Sequence, residues 1–261
     1  MISSTQSSVL AIRQLGRLQF RALITDSPAI LLIHDGKKCV ERNGRRFELT
    51  PGWVGLLDAG LPYTVENRSP PGRAYFATAL LVSPDTLESL HREERRRSDP
   101  YRTTNDDRVL ASCERAVLAV SDALLPVRLK ENAVREALLW LSEAGIGFSE
   151  QRPSFADQLR RLIAADPDFN WTAANAGRAL AVSEATLRRR LAHLGAGFQE
   201  VLADVRMTHA LGLLQTTTLP MNRIALEVGY SSPSRFAVRF RARFGVRPSE
   251  VRGTQDDLVS I

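Results

Sequence analysis

One segment occurs twice in the last third of the chain, and this repeat constrains the fold more than any other feature. The stretch VSEATLRRRLAHLG at 182–195 is echoed by YSSPSRFAVRFRARFG at 230–245. In each copy a serine, Ser183 or Ser232, stands where its hydroxyl can cap the first turn of a helix. Pro233 suits the first helical position, and a glycine ends each stretch. The repeat therefore predicts two similar helical units.

Each predicted helix has one apolar stripe and one face of small or cationic residues. The stripe consists of Leu187, Leu191 and Leu194 in the first helix and of Phe236, Phe240 and Phe244 in the second. The outward residues are Ala185, Arg188, Arg189 and Ala192, then Ser234, Arg235, Val238, Arg239 and Ala242. Small residues let a helix approach a groove about 12 Å wide, and Arg reaches a guanine edge or a phosphate. The pattern therefore predicts two DNA-recognition helices.

A shorter helix and a tight turn precede each of these helices. The shorter helices are predicted at 172–180 and 221–228, with turns at Ala181-Val182 and Gly229-Tyr230. This order of helix, turn and recognition helix is the helix-turn-helix pattern, present twice. Between the units, Phe198 to Leu214 has the length of one continuous helix, roughly 25 Å. Such a rod suits two recognition helices about one DNA turn, roughly 34 Å, apart.

The distribution of charge is compatible with an anionic partner. Residues 155–252 contain 14 Arg and 8 acidic residues, a net charge of +6, which equals that of the whole chain. Arg grips phosphate or guanine with two parallel hydrogen bonds. The alternative is a GC-rich genome that uses Arg throughout, because the chain has only three lysines. Composition alone does not decide between these interpretations.

The first part of the chain has the closely spaced turn residues that are typical of a β domain, and helical segments follow it. Between 18 and 82, short apolar runs alternate with turn residues, and Asn43-Gly44 predicts a two-residue hairpin. These short strands suggest a small barrel or sandwich. Helices are predicted at 106–124 and 127–144. The second has an apolar face that packs on its own domain or on a second copy of the chain, formed by Leu129, Ala133, Ala137, Leu138 and Leu141.

Other classes of function lack their usual signals. Cys39 and Cys113 are 74 positions apart without CxxC spacing, which predicts neither a disulfide framework nor a zinc site. The four histidines are dispersed, and we find no nucleophile with its base, no phosphate loop and no placed pair of carboxylates. No apolar run is long enough to span a membrane, and no signal peptide is evident, so we expect a cytoplasmic protein. We predict no enzyme activity, no cofactor and no metal.

The stretch from 171 to 252 resembles the DNA-binding domain of the AraC/XylS family of transcription regulators. The motif is IALEVGYSSPSRFAVRFRARFGVRPSEVR at 224–252, with Ile224-Ala225, Gly229-Tyr230, Phe236, Phe240, Phe244-Gly245 and Pro248. The resemblance implies binding to double-stranded promoter DNA and contact with RNA polymerase. It implies base-reading positions at Ala185, Arg188 and Arg189 in the first unit and at Pro233, Ser234 and Arg235 in the second. Family members often have Arg in place of Val238, and here Arg239 is the neighbouring cation.

The segment FELTPGWVGLLDAGLPYTV at 47–65 resembles, more loosely, the cupin-like domain of such regulators. In many relatives this domain senses a small molecule, and the helices after it mediate dimerisation. A metal-binding cupin needs clustered histidines and an acid, whereas this region has only His34, with Tyr63 where His is common. The effector-binding residues are unknown. A fatty acid or similar amphipathic molecule with its head near Lys37 or Lys38 is one hypothesis.

These observations predict an α+β chain with three parts. They are a small N-terminal cupin-like β domain at 1–90, a helical linker and dimerisation region at 91–152, and an all-α domain with two helix-turn-helix units at 153–261. The predicted function is that of a homodimeric, sequence-specific transcription regulator. An activator is predicted in preference to a repressor. The alternative is an interaction protein that dimerises through 106–149 and binds an acidic protein through its basic face.

Overall fold

The chain folds as eight β-strands followed by nine α-helices in the residues that the computed structural model describes, 6–14, 16–42, 44–93, 103–149 and 154–251. The strands are β1 (Ser8–Gln14), β2 (Arg17–Leu23), β3 (Ala29–Asp35), β4 (Lys37–Arg42), β5 (Arg45–Leu49), β6 (Val54–Leu57), β7 (Tyr63–Arg68) and β8 (Tyr75–Leu81). The helices are α1 (Pro84–Glu93), α2 (Asp107–Ser121), α3 (Val127–Glu143), α4 (Phe155–Ala165), α5 (Ala173–Ala179), α6 (Glu184–His193), α7 (Phe198–Thr216), α8 (Met221–Glu227) and α9 (Pro233–Phe244). This order confirms the predicted α+β class.

The N-terminal strands form two antiparallel four-stranded sheets, ordered β1-β8-β3-β6 and β2-β7-β4-β5. The predicted hairpin is present, because Arg42 pairs with Arg45 across Gly44, whose φ is +73°. Asn43 lies outside the described residues. Strand β1 is not predicted from the sequence, in which the predicted β region begins at Leu18. It is an edge strand with a half-exposed side, so its apolar pattern is weak.

Strand β3 is buried on both faces, which explains its continuous apolar sequence AILLI. Successive side chains of a strand point to opposite faces. Leu31 and Ile33 pack between the two sheets, whereas Ile30 and Leu32 pack against α2 and α3. These helices therefore share a core with the β1-β8-β3-β6 sheet, through Cys113 and other side chains. The division of the chain at 90 and 152 stays a prediction.

Helices α2 and α3 differ in detail from the prediction. Helix α2 ends at Ser121, three residues before the predicted end, because Asp122 and the residues after it form the turn to Pro126. In α3, Ala137, Leu138 and Leu141 are buried as the apolar face requires. Leu129 is 51% exposed, so it does not pack on its own domain, and its packing on a second copy of the chain stays a prediction. It lies in the first turn of α3, beyond the reach of the sheet.

Helices α4 to α9 form two apolar cores that share helix α7. The first core contains Leu187 and Leu191 of α6, and the second contains Phe236, Phe240 and Phe244 of α9. Strand β2 also contributes to the second core, because Phe20 is 1% exposed and its ring meets that of Phe244 edge to face at 6.1 Å. The β domain thus packs directly on the second helical unit. Within the described ranges, no helix has the length and apolar character to cross a membrane.

Candidate nucleic-acid interface

Helix α6 presents a polar face to solvent from a buried leucine base. The Ser183 hydroxyl accepts a hydrogen bond from the Thr186 amide, which caps the helix as the sequence predicts. Leu187 and Leu191 are fully buried. Leu194 is 51% exposed, and its assignment to the inward stripe was wrong. The helix ends at His193, so the backbone has already left the helical path at Leu194.

The outward residues predicted for α6 are all exposed. These are Ala185, Arg188, Arg189 and Ala192. Arg188 donates two hydrogen bonds to Glu184 Oε1, at 2.8 and 2.9 Å. Arg189 has no hydrogen bond or ion pair within the described part of the chain. An Arg that has no intramolecular partner reaches a DNA base without first breaking a contact, so Arg189 is the better candidate of the two for reading a base.

Helix α9 is built in the same way, but its buried side chains are aromatic. The Ser232 hydroxyl accepts from the Arg235 amide, and Pro233 occupies the first turn. Phe236, Phe240 and Phe244 are fully buried. The exposed face consists of Pro233, Ser234, Arg235, Val238, Arg239 and Ala242. Val238 is 69% exposed, so an apolar side chain stands in the centre of this face. Such a side chain suits contact with a thymine methyl group.

The turns that precede α6 and α9 have the same hydrogen-bonded geometry. The Val182 amide donates to the Gly177 carbonyl at 2.9 Å, and the Tyr230 amide donates to the Ala225 carbonyl at 2.8 Å. Both turns contain a left-handed residue, Ala181 with φ +55° and Gly229 with φ +74°. Such a conformation is costly for Ala and easy for glycine. The two units are therefore one local structure built twice, as the repeat predicts.

A cleft of about 930 Å³ lies between α7 and α9. The outward face of α9 forms one wall, and the α7 wall carries both acidic and basic groups. Its charged lining residues are Glu200, Asp204, Arg206, Arg235, Arg239 and Arg243. The cleft opens beside the turn that leads into α9, where Gly229 and Tyr230 also line it. Its arginines suit a stretch of nucleic-acid backbone.

Helix α7 also carries ionic contacts to both helical units. Asp204 Oδ1 lies 2.7 Å from Arg243 Nε on α9, and Asp204 Oδ2 lies 3.5 Å from Arg160 Nη2 on α4. Burial raises the pKa of Asp204, and the two arginines oppose that rise. The sequence predicts α7 only as a rigid rod, and these contacts are not predicted. No local pattern signals them, because the partners lie on helices far apart in the chain.

The two lysines of the β domain have different surroundings. Lys37 is at the surface and its ammonium pairs with Glu48 Oε2 at 2.9 Å. Lys38 is 3% exposed, and its ammonium donates to Asn67 Oδ1 at 2.6 Å. Burial lowers the pKa of Lys38 to about 7. The buried Tyr75 ring lies 5.6 Å from the Lys38 ammonium, so a polar cluster exists inside the β domain.

Metal-ligating side chains do not gather in groups of three or more among the described residues. His34 instead makes a hydrogen bond with the Thr78 hydroxyl at 2.8 Å and stacks on Phe76 at 4.7 Å between ring centroids. Burial lowers its pKa. This arrangement is that of a structural histidine.

Comparison with known proteins places the similarity in the same region. A helix-turn-helix domain family matches residues 177–254. The virulence regulon transcriptional activator VirF of Shigella flexneri is 33% identical over 97 residues, 37% of each chain. The ornithine utilization regulator of Pseudomonas aeruginosa is 35% identical over 127 residues, 49% of this chain and 38% of that protein. The match thus covers well under half the length of these relatives, which are regulators and not enzymes.

A solved structure shares the complete fold. ToxT from Vibrio cholerae O395 superimposes with a TM-score of 0.68 over 95% of this chain and 98% of that chain, at 16% identity. A second ToxT structure, with a bound unsaturated fatty acid, gives a TM-score of 0.67 at the same identity and covers 95% of this chain and 94% of that chain. At this identity the likeness concerns the fold alone. It supports the combination of an N-terminal β-sheet domain with a C-terminal helix-turn-helix domain.

Proposed function

Because its C-terminal domain belongs to the AraC/XylS family of helix-turn-helix domains, we propose that this chain is a sequence-specific transcription regulator that binds promoter DNA through α6 and α9. The observation that carries the proposal is the repeated unit, in which a capped helix on a buried apolar base presents mainly small and cationic side chains on its outward face. Ala185, Arg188 and Arg189 read bases in the first block of DNA. Pro233, Ser234 and Arg235 do so in the second, and Arg239 contacts phosphate.

Selection of bound duplexes from a random DNA pool by the purified protein, at physiological salt, tests this proposal. We expect an enriched motif with two blocks about ten base pairs apart, one for each recognition helix. A steep loss of affinity with rising salt accompanies phosphate contacts. Weak binding without any preferred sequence would instead support the alternative, an interaction protein with a basic face for an acidic partner.

Alanine in place of Arg189 is expected to weaken binding to the selected site by about 1–3 kcal/mol. The loss arises from one bidentate contact with a base, so the motif should become degenerate at one position of the first block. Titration of labelled duplexes measures both effects. Arg73→Ala is the matched control, because Arg73 is exposed in the loop before β8, in the β domain, and pairs there with Asp35. An equal loss on every sequence would assign Arg189 to phosphate contact.

The chain acts as a homodimer and as an activator that contacts RNA polymerase in this proposal. The hairpin tip of α2 and α3 exposes Leu118, Leu124, Val127 and Leu129, by 71%, 93%, 43% and 51%. Glu114, Asp122 and Arg128 lie near this patch, so both signs of charge flank it. A second copy presents the same surface, and charges of both signs permit an apolar patch to meet its own image. The activator role rests on the similarity to VirF.

Glutamate in place of both Leu124 and Leu129 is expected to convert the dimer to a monomer, because four carboxylates would then enter one apolar interface. Sedimentation equilibrium measures the change. Leu226→Glu is the control, since Leu226 is 51% exposed on α8, outside the patch. A wild-type protein that is monomeric at micromolar concentration, or a double variant that still dimerises, would contradict this assignment.

A small amphipathic acid, such as a fatty acid, is the effector that we propose for the β domain. ToxT with a bound fatty acid has the same fold, and an acidic head group beside buried Lys38, whose pKa burial lowers to about 7, would favour the charged form of this lysine. Lys37 is already paired at the surface with Glu48. Titration calorimetry with fatty acids should therefore give heat with the wild type and with Lys37→Met, but none with Lys38→Met. No heat from the wild type would remove the hypothesis.

A further inference from the structure

The apolar cores of the two helical units adjoin at one position along helix α7. Val205 belongs to the first apolar core, and Met207 belongs to the second. No buried side chain is common to both cores among the described residues. The orientation of α6 relative to α9 therefore depends on α7 and on the polar contacts that join the units beside it. Arg206 stands between the two cores.

Arg206 binds backbone carbonyls from both units with one guanidinium group. Its Nε donates to the Pro167 carbonyl at 2.9 Å and its Nη2 donates to the Phe169 carbonyl at 2.9 Å, both in the segment that leads from α4 to α5. Its Nη1 donates to the Gly229 carbonyl at 3.2 Å, in the turn before α9. One planar cation thus joins the segment before the first unit to the turn of the second.

The turn at Gly229 is shaped around this guanidinium. A Cβ at Gly229 would displace the Arg206 guanidinium from its present position, and the residue has φ +74°, so glycine is favoured there on two grounds. The Arg206 guanidinium also lies 5.9 Å from the centre of the Tyr230 ring. The half-buried Arg206 guanidinium has a defined geometry, because a planar fork of donors with several fixed acceptors fits few arrangements.

We propose that Arg206 is a positioning residue that sets the separation of the two recognition helices, and hence the spacing of the two DNA blocks that the chain accepts. The inference rests on the proposed function. Asp204 is a second link between the units through Arg160 and Arg243. Without Arg206, the units remain folded on α7 but their relative angle is less restricted. A variant without Arg206 therefore tolerates more than one spacing between the two DNA blocks.

The preferred spacing between the two DNA blocks is a sensitive measure of the angle between the two helical units. One extra base pair moves the second block by about 3.4 Å and rotates it by roughly 36° about the DNA axis. A rigid pair of helices cannot follow this change without losing base contacts in one block. The wild type should therefore prefer one spacing over its neighbours by about tenfold or more, which is the effect of one to two mismatched base pairs.

The test measures affinity for duplexes in which the two selected blocks are one base pair closer, at the native spacing, or one or two base pairs farther apart. The variants are Arg206→Met and Arg206→Lys, with Arg223→Met as the matched control. Arg223 pairs with Glu227 on its own helix and joins nothing else in the described residues. For Arg206→Met we expect the preference among spacings to fall to about threefold or less. Arg206→Lys should be intermediate, and Arg223→Met should keep the wild-type preference.

Other outcomes overturn the inference in distinct ways. An unchanged spacing preference in Arg206→Met would show that α7 alone fixes the units. A uniform loss of affinity at every spacing, with a shallower salt dependence, would make Arg206 a phosphate contact. If circular dichroism shows that Arg206→Met does not fold, the spacing preference of Arg206→Lys tests the inference. Lysine keeps the charge and the aliphatic stem of the side chain. A wild type that binds no DNA sequence would instead refute the proposed function.

Discussion

Alanine in place of Phe240 is expected to lower the free energy of unfolding by about 3–5 kcal/mol and to abolish binding to the two-block site. Phe240 is fully buried between Phe236 and Phe244, with ring centroids 5.7 and 4.8 Å away. Truncation removes the transfer free energy of the ring and leaves a cavity in a small core. Helix α9 owes its orientation to these three rings, so the DNA-facing side chains lose their position with the core.

Urea denaturation followed by circular dichroism measures the loss of stability. The control is Val238→Ala on the same helix, because Val238 is 69% exposed and lies outside the core. We expect the control to change stability by no more than about 0.5 kcal/mol. Phe240→Leu, which retains most of the apolar volume, should lie between the two. A loss below about 1 kcal/mol for Phe240→Ala would mean that the second unit does not depend on its aromatic core.

The features that sequence predicts well are those with a local physical cause. Ser183 and Ser232 cap their helices because a hydroxyl accepts the unpaired amides of the first turn wherever the helix begins. The hairpin around Gly44 follows from the φ > 0 that a two-residue turn demands. Helix α7 runs from Phe198 to Thr216, only two residues beyond its predicted end, because no proline interrupts the chain before Pro220.

The features that sequence missed depend on contacts between distant segments. Phe20 reads as an ordinary β-strand residue, yet its ring completes the core of the second helical unit. Arg206 and Asp204 read as the solvated face of a helix, yet they join the two units. The candidate DNA-binding residues could be predicted because they form the outward face of each helix once the apolar stripe has been assigned to the core. The residues that orient them could not, because their partners are backbone carbonyls and charges without a sequence pattern.

The packing of β2 on the second unit gives the β domain a physical route to the DNA-binding face. Phe20 and Phe244 share one core, so a movement of β2 changes the support of α9 directly. Beside this contact, the β2–β3 loop places Asp26 close to the charges that join α4, α7 and α9. The proposed effector, if it alters the β domain, would therefore act on the same groups that hold the helical units together.

Asparagine in place of Asp26 is expected to stabilise the chain by about 1–3 kcal/mol at pH 8 and to leave its stability unchanged at pH 4. Burial raises the pKa of Asp26 to about 7, with Asp157 and Asp204 adding to the rise and Arg160 opposing it. A shift from 3.8 to about 7 corresponds to an upper value of roughly 4 kcal/mol. Part of the residue remains accessible, and solvent reduces the effect.

The direction follows from which state binds the proton. Between pH 4 and 7 the folded chain holds a proton on Asp26 that the unfolded chain has released, so stability falls as pH rises through this window. Asparagine cannot ionise and keeps the neutral form throughout. Urea denaturation of both proteins at pH 4, 6 and 8 gives the difference, with Asp85→Asn as a control at an exposed position on α1. A variant less stable than the wild type at pH 8 would show that Arg160 holds Asp26 ionised, and that the two domains are joined by an ion pair rather than by a protonated acid.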